Sequence, residues 1–222
     1  MTAFSAIDLL WLALLGGWVA TDSTSFGQFM VSRPLVAATL AGWVVGAPIS
    51  GAAIGIVLEA FQLNVLPVGA ARYPEAGPAA VVAGAAYPLA DGAPGAMLMV
   101  VAFALVWESV AGQTVHQLRH FNVRLAATSA IDDLGALERR HLGATAVDFL
   151  RGVALVLVGG LLLYGALVLL IPYWGLDEPL TDLLTGGILV ALLASSFRLL
   201  GSRVPWFVVG LAGGVVFLLA TS

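Results

Sequence analysis

The chain has 222 residues, 60% of them hydrophobic and only 10% charged, and a mean hydropathy of +1.02, far outside the range of soluble domains. A formal charge of -4, with 9 basic residues that are all Arg, excludes a basic surface for nucleic acid. The absence of Cys excludes disulfides, thiolate metal sites and a cysteine phospho-carrier.

At roughly 20 apolar residues per crossing of a hydrocarbon core about 30 Å thick, there is room for about six to eight crossings or part-crossings. The whole chain, 1–222, therefore reads as a single all-α integral membrane domain, polytopic and helical. The first apolar stretch, residues 9–20, is preceded by Asp8 and by no Lys or Arg, and reads as a membrane helix rather than a signal peptide.

From there to about residue 114 the apolar segments are cut by Pro34, Pro48, Pro67, Pro74, Pro78, Pro88 and Pro94 and by many Gly. A bilayer tolerates broken helices only where they are buried in protein or line a cavity. Interrupted hydrophobic segments also mark the binding sites of transporters, because half-helix ends present N–H and C=O groups to a solute. Re-entrant hairpins and a substrate path are expected within residues 26–90.

Glu59 stands in the otherwise apolar GIVLEAFQLNVLPVG. An ionisable group at membrane depth costs about 2.5 to 3.5 kcal/mol on insertion scales, so it needs a reason. One reading is a carboxylate for substrate hydroxyls or for a titrating step; the other is an internal ion pair, with Arg33 or Arg72 as partner. Gln62 and Asn64 follow it, and their amides both donate and accept, which suits polyols, although interhelical hydrogen bonding would use them equally well. Glu75, directly after Pro74, is expected at a hairpin tip, as a site carboxylate or an exposed loop acid. Glu108 reads as an interfacial anchor near a helix end, and the Trp residues as an interface belt, with Trp43 a weak candidate for stacking on a sugar.

Residues 115–151 hold five of the 9 Arg (Arg119, Arg124, Arg139, Arg140, Arg151) together with Asp132, Asp133, Glu138 and Asp148. The positive-inside rule places this stretch in the cytoplasm. Ile131, Leu134, Leu142 and Phe149 fall near one helical face, predicting an amphipathic link on the membrane, on a partner or on the bundle itself. His116, His120 and His141 belong to it and lack the spacing of a metal site. Uncharged runs at 152–176, 183–197 and 204–222 predict three closing membrane helices, with the acidic turn at Asp177 and Glu178 outside and Arg198 and Arg203 inside.

Residues 27–46 read GQFMVSRPLVAATLAGWVVG and residues 51–80 read GAAIGIVLEAFQLNVLPVGAARYPEAGPAA. Arg33-Pro34-Leu35 before a Gly-punctuated helix, the Leu58-Glu59 pair, Pro67-Val68-Gly69-Ala70 and an acid after Pro74 occur in that order. Together they resemble the IIC subunit of the mannose-family (mannose/fructose/sorbose) sugar phosphotransferase system, over about a quarter of the chain. The resemblance implies a fold with re-entrant hairpins and a mobile core that shifts against a fixed scaffold. It implies a subunit that moves a hexose-like sugar across the bacterial inner membrane together with a IID membrane subunit, while soluble IIA and IIB components phosphorylate it. It implies no cofactor, and substrate-site or gating roles for Glu59 and Glu75, with Arg33 beside them. Two positions depart from the family pattern: Gln28 stands where an acid precedes the Arg-Pro, and Glu75 where an Asp follows the hairpin Pro. Glu59, Gln62, Asn64, Glu75, Gln28 and Arg33 are the candidate substrate-binding set. Two rival readings are an uncoupled or ion-coupled carrier of the same fold, with Glu59 titrating, and a scaffold subunit of a transport complex. An enzyme ranks last, because no nucleophile and base pair or metal-ligand cluster stands out. The Gly content permits tight helix packing and predicts an oligomer.

Overall fold

The computed structural model describes residues 4–63, 65, 73–90, 92–127, 134–200 and 208. Within them the chain is all-helical: α1 (Ala6–Thr24), α2 (Pro34–Val44), α3 (Pro48–Gln62), α4 (Ala76–Ala86) with a 3-10 turn at Tyr87–Ala90, α5 (Ala96–Ala127), α6 (Leu134–Leu170) with a 3-10 turn at Ile171–Tyr173, and α7 (Glu178–Leu200). Among the described residues, three spans are long and apolar enough to cross a membrane, Ala6–Thr24, Ala96–Arg124 and Gly135–Tyr173.

Local chemistry explains the helix starts. Ser5 caps α1 by accepting from the Asp8 N–H at 3.2 Å, and the Asp8 carboxylate accepts from the Ser5 N–H at 3.0 Å, a capping box. α2 and α3 each begin with Pro, at Pro34 and Pro48, where the missing N–H would have no partner anyway. The tight turn between them runs through Gly46, whose φ of +77° suits a residue without Cβ. The two helices form an antiparallel hairpin; at 11 residues α2 is only about 16 Å long, half a hydrocarbon core.

α4 is the central element. It packs against α1, α2, α3, α5 and α6, it is built only from Ala, Gly, Val and Pro, and every residue from Gly77 to Ala86 is buried. Small side chains let its neighbours approach its backbone, the usual solution where no hydrophobic force drives helices together in lipid. A Cβ on Gly84 would lie 2.4 Å from the Ala38 carbonyl oxygen of α2. α1 and α6 meet the same way: a Cβ on Gly152 would lie 2.3 Å from the Gly16 carbonyl oxygen, and Gly17 packs on the Phe149 ring. Outward-facing Leu161 and Leu169, 73% and 68% exposed, form the apolar periphery that lipid or a partner covers.

The layout of residues 115–151 differs from a separate amphipathic link. Residues 115–127 continue α5 and residues 134–151 open α6, so the two helices reach about 48 Å and 55 Å and extend beyond the membrane core. The charges face water where the helices protrude, but Asp148 and Arg151 turn into the bundle. Ile131 and Arg72 lie outside the described residues. So does the closing run at 204–222, apart from residue 208. The run at 152–176 ends its helix at Leu170, ahead of Pro172, and the run at 183–197 lies within α7.

Gly84→Val should lower the melting temperature of the purified protein, by the equivalent of about 1–3 kcal/mol, because its would-be neighbour is backbone that cannot yield. Gly160→Val, with nothing within 4 Å, should shift stability by less than about 0.5 kcal/mol in the same thermal melt.

Candidate functional site

Three chain breaks converge at one level of the bundle. Arg33 is the residue before α2, Gln62 closes α3, and the extended segment Tyr73–Glu75 leads into α4. They surround a cavity of about 320 Å³, walled also by Ser23 and Thr24 at the end of α1 and by Gly112, His116 and Arg119 of α5. That size falls within the range of small-ligand pockets, about 300–1,000 Å³. Gly112 makes room for the extended segment, since a Cβ there would lie 2.2 Å from the Tyr73 carbonyl oxygen. The segment is held by a main-chain bond from the Glu75 N–H to the Glu108 carbonyl at 2.9 Å.

Beneath the cavity lies a buried ionic network centred on Arg151. Its guanidinium forms a two-pronged pair with Glu75, Nη2 standing 2.8 Å from Oε1 and Nη1 against Oε2. Nε donates to Asp148 Oδ1 at 2.9 Å, and Nη1 also donates to Thr114 Oγ1 at 2.9 Å. The Ser23 hydroxyl lies 2.8 Å from Glu75 Oε1, and the Thr24 and Ser25 hydroxyls donate to Asp148 Oδ2. Side-chain exposures of 10%, 6% and 0% for Arg151, Glu75 and Asp148 put the cluster out of water. Two carboxylates around one permanently charged guanidinium leave the trio with one net negative charge, softened by three hydroxyl donors.

A second set ties down the α2–α3 hairpin. Arg33 pairs with Glu59, whose other oxygen accepts from the Leu35 N–H at 3.3 Å. The carboxylate thus also sits at the positive N-terminus of α2, where it satisfies an orphan donor. Gln62 Nε2 donates to Glu108 Oε2 at 2.9 Å. Asp22, 2% exposed, accepts from the N–H groups of Phe29 at 2.6 Å and Ser32 at 3.0 Å. It thereby moulds the loop before Arg33, where Gly27, Gln28 and Met30 take φ of +99°, +53° and +64°.

Of the residues singled out from sequence, Arg33, Gln62 and Glu75 line the cavity, and Glu59 adjoins it through Arg33. Gln28 is exposed in the Asp22-moulded loop and is not among the lining residues. Asn64 lies outside the described residues. Glu75 is a buried member of an ion-pair network rather than an exposed hairpin tip, and Glu108 is 8% exposed in mid-helix rather than an interfacial anchor. Sequence reasoning missed Asp22, Thr24, Asp148 and Arg151. For the last pair a signal existed: an Asp and an Arg three apart at the mouth of a wholly uncharged run, a spacing that puts both on one helix face. His116, taken as polar surface, lines the cavity, and its ring lies 3.1 Å from that of His120, Nε2 to Nε2.

Short, broken helices meeting at a polar cavity inside a wall of long apolar helices define a multi-pass membrane transport subunit. A family model for the sorbose-specific IIC component of the phosphotransferase system (EII-Sor) matches residues 6–217, and the chain belongs to that family of sugar-transport subunits. A solved structure described as a membrane protein shares the fold with a TM-score of 0.73 at 20% identity, over 99% of this chain and 95% of that one. The mannose transporter ManYZ, solved in complex with microcin E492 (MceA), is similar with a TM-score of 0.65 at 20% identity, over 96% of this chain and 88% of that one. No curated protein sequence matches.

Replacing Arg151 by Met should cost about 3–5 kcal/mol, because Glu75 and Asp148 then face each other without a counter-charge. Glu75→Gln in that background should recover part of the loss; a double-mutant cycle of melting temperatures checks the coupling.

Proposed function

We propose that this IIC chain binds a hexose-like sugar in the cavity at the three converging breaks and carries it across the bacterial inner membrane by alternating access. The observation that carries this reading is the convergence itself: Arg33, Gln62 and Glu75, separated by long stretches of apolar sequence, line one cavity of about 320 Å³. A neutral polyol needs both donors and acceptors, and the site supplies them. The Glu59 and Glu75 charges are offset by Arg33 and Arg151, yet each carboxylate retains lone pairs for a hydroxyl.

The short α2–α3 hairpin acts as a re-entrant element, entering the membrane from the cavity side and returning to it. For the hairpin to shift and the cavity to change access, the Gln62–Glu108 bond at its open end and its close packing on α4 rearrange, while the Arg33–Glu59 pair holds its two arms together. A companion IID subunit covers part of the apolar periphery, as the pairing in the mannose transporter ManYZ suggests. Soluble IIA and IIB components phosphorylate the sugar from the cytoplasmic side, where α5 and α6 protrude with their Arg residues.

Binding of radiolabelled sorbose and mannose to the chain assembled with its membrane partner tests the assignment. Gln62→Ala and Glu59→Gln should each weaken binding about tenfold, the worth of a hydrogen bond of about 1.4 kcal/mol, with the fold retained by thermal melt. Undiminished binding and uptake in both variants would remove the sugar from this cavity.

A further inference from the structure

We infer that Asp22 is a positioning residue for the sugar cavity: it holds the loop between α1 and α2 in a left-handed backbone, and so sets where Ser32 and Arg33 stand in the cavity wall. The inference rests on the cavity being the sugar site. Asp22 is buried near the end of α1, outside the lining, and no Lys or Arg pairs with it among the described residues. A buried acid at membrane depth calls for a role. Both of its carboxyl oxygens go to the loop. Oδ1 accepts from the Phe29 N–H at 2.6 Å, and Oδ2 accepts from the N–H of Ser32, itself a lining residue, at 3.0 Å. On its other side Ser32 lies against α4, where a Cβ on Gly77 would stand 3.1 Å from the Ser32 carbonyl oxygen.

The loop does not keep this shape unaided. Gln28 and Met30 take φ of +53° and +64°, a region where the Cβ of an L residue crowds its own backbone and which only Gly enters freely. Packing within the chain offsets little of that strain, because Phe26, Phe29 and Met30 all point outward and are exposed. Main-chain bonds close each end of the loop, Phe26 N–H to the Thr21 carbonyl at 2.9 Å and Arg33 N–H to the Met30 carbonyl at 3.2 Å, but neither spans it. The two bonds to Asp22 bracket Met30 and tie the loop to α1. Gln28 therefore serves the site through its backbone, while its side chain stays out of the lining.

Glycine substitution separates strain from support. Binding of radiolabelled sorbose and mannose to the chain assembled with its membrane partner is measured, with a thermal melt of each preparation. The variants are Asp22→Asn, the pair Gln28→Gly with Met30→Gly, and Val31→Gly, the last two each made with Asp22 intact and with Asp22→Asn. An Asn keeps one acceptor and turns an amide N–H toward the other loop N–H, so Asp22→Asn should weaken sugar binding about tenfold. Adding the Gly pair removes the left-handed strain and should bring affinity back to within about threefold of wild type. Val31 is not among the residues of positive φ, so Gly there loosens the loop without relieving strain and should restore nothing. With Asp22 intact, the Gly pair should raise the melting temperature and Val31→Gly should lower it, a comparison that holds even where Asp22→Asn does not fold.

The positioning role is wrong if the Gly pair fails to restore affinity, if Val31→Gly restores it equally, or if the Gly pair lowers the melting temperature of the Asp22-containing chain. Undiminished binding in Asp22→Asn, beside weakened binding in Gln62→Ala and Glu59→Gln, would leave the sugar in the cavity and reduce Asp22 to a support of the fold. Undiminished binding in all three would remove the sugar from the cavity, and the inference with it.

Discussion

Arg151 has no neutral form to retreat to at any accessible pH, so a chain that carries it into a membrane bundle must bring carboxylates to the same depth. Glu75 and Asp148 meet that demand, and doing so fixes much of the architecture. Asp148 lies one turn earlier on the same helix, whereas Glu75 is 76 residues away at the entry to α4. Pairing them forces α4 to begin beside the middle of α6. Ser23 and Thr24 draw the end of α1 to the same level, and Thr114 draws in α5. One cation thus aligns four helices along the bundle axis, a form of registry that apolar packing, which slides easily, does not supply.

With the start of α4 fixed, the cavity follows. α4 is too small in cross-section to separate its neighbours, so α2 closes on it where Gly84 meets the Ala38 backbone, while α2 and α3 close on each other through Gly42 and Gly51. Close backbone approach compensates for the missing hydrophobic drive between helices in lipid. The hairpin is short, so both of its open ends arrive at the level where α4 begins. Chain breaks expose N–H and C=O groups that lipid cannot satisfy, and here side chains such as Glu59 and Asp22 take on that task. The polar groups that end the helices lie just behind the cavity wall, Glu59 through its pair with Arg33 and Asp22 through its bond to the Ser32 N–H.

Pairing also serves the acids themselves: a lone buried carboxylate bears its whole desolvation penalty, whereas one matched by an arginine has that cost offset and still presents directional acceptors. It also sets a division of labour between the two ion pairs. Arg33 with Glu59 is partly open, at 40% and 19% side-chain exposure, and joins the two arms of one hairpin. The Arg151 cluster is sealed and joins different helices.

The membrane character and the broken first half were legible in the sequence, and Arg33 stood among the partners expected for Glu59. Hydropathy and Pro/Gly punctuation are local properties, and a charge inside an apolar run announces its own cost. The same reasoning left Glu75 between a site carboxylate and an exposed loop acid, read Glu108 as an interfacial anchor and placed Asp148 and Arg151 in a cytoplasmic link, whereas Glu75, Glu108 and Asp148 are buried. What these readings lacked has one cause. Whether a polar residue is buried depends on which remote segment covers it, and neither spacing nor composition encodes that pairing. Sequence alone determined that the chain lives in lipid and where its helices must break. Only the tertiary structure decided which charges meet, because ion pairs across 26 or 76 residues form when packed helices bring their carriers to one depth.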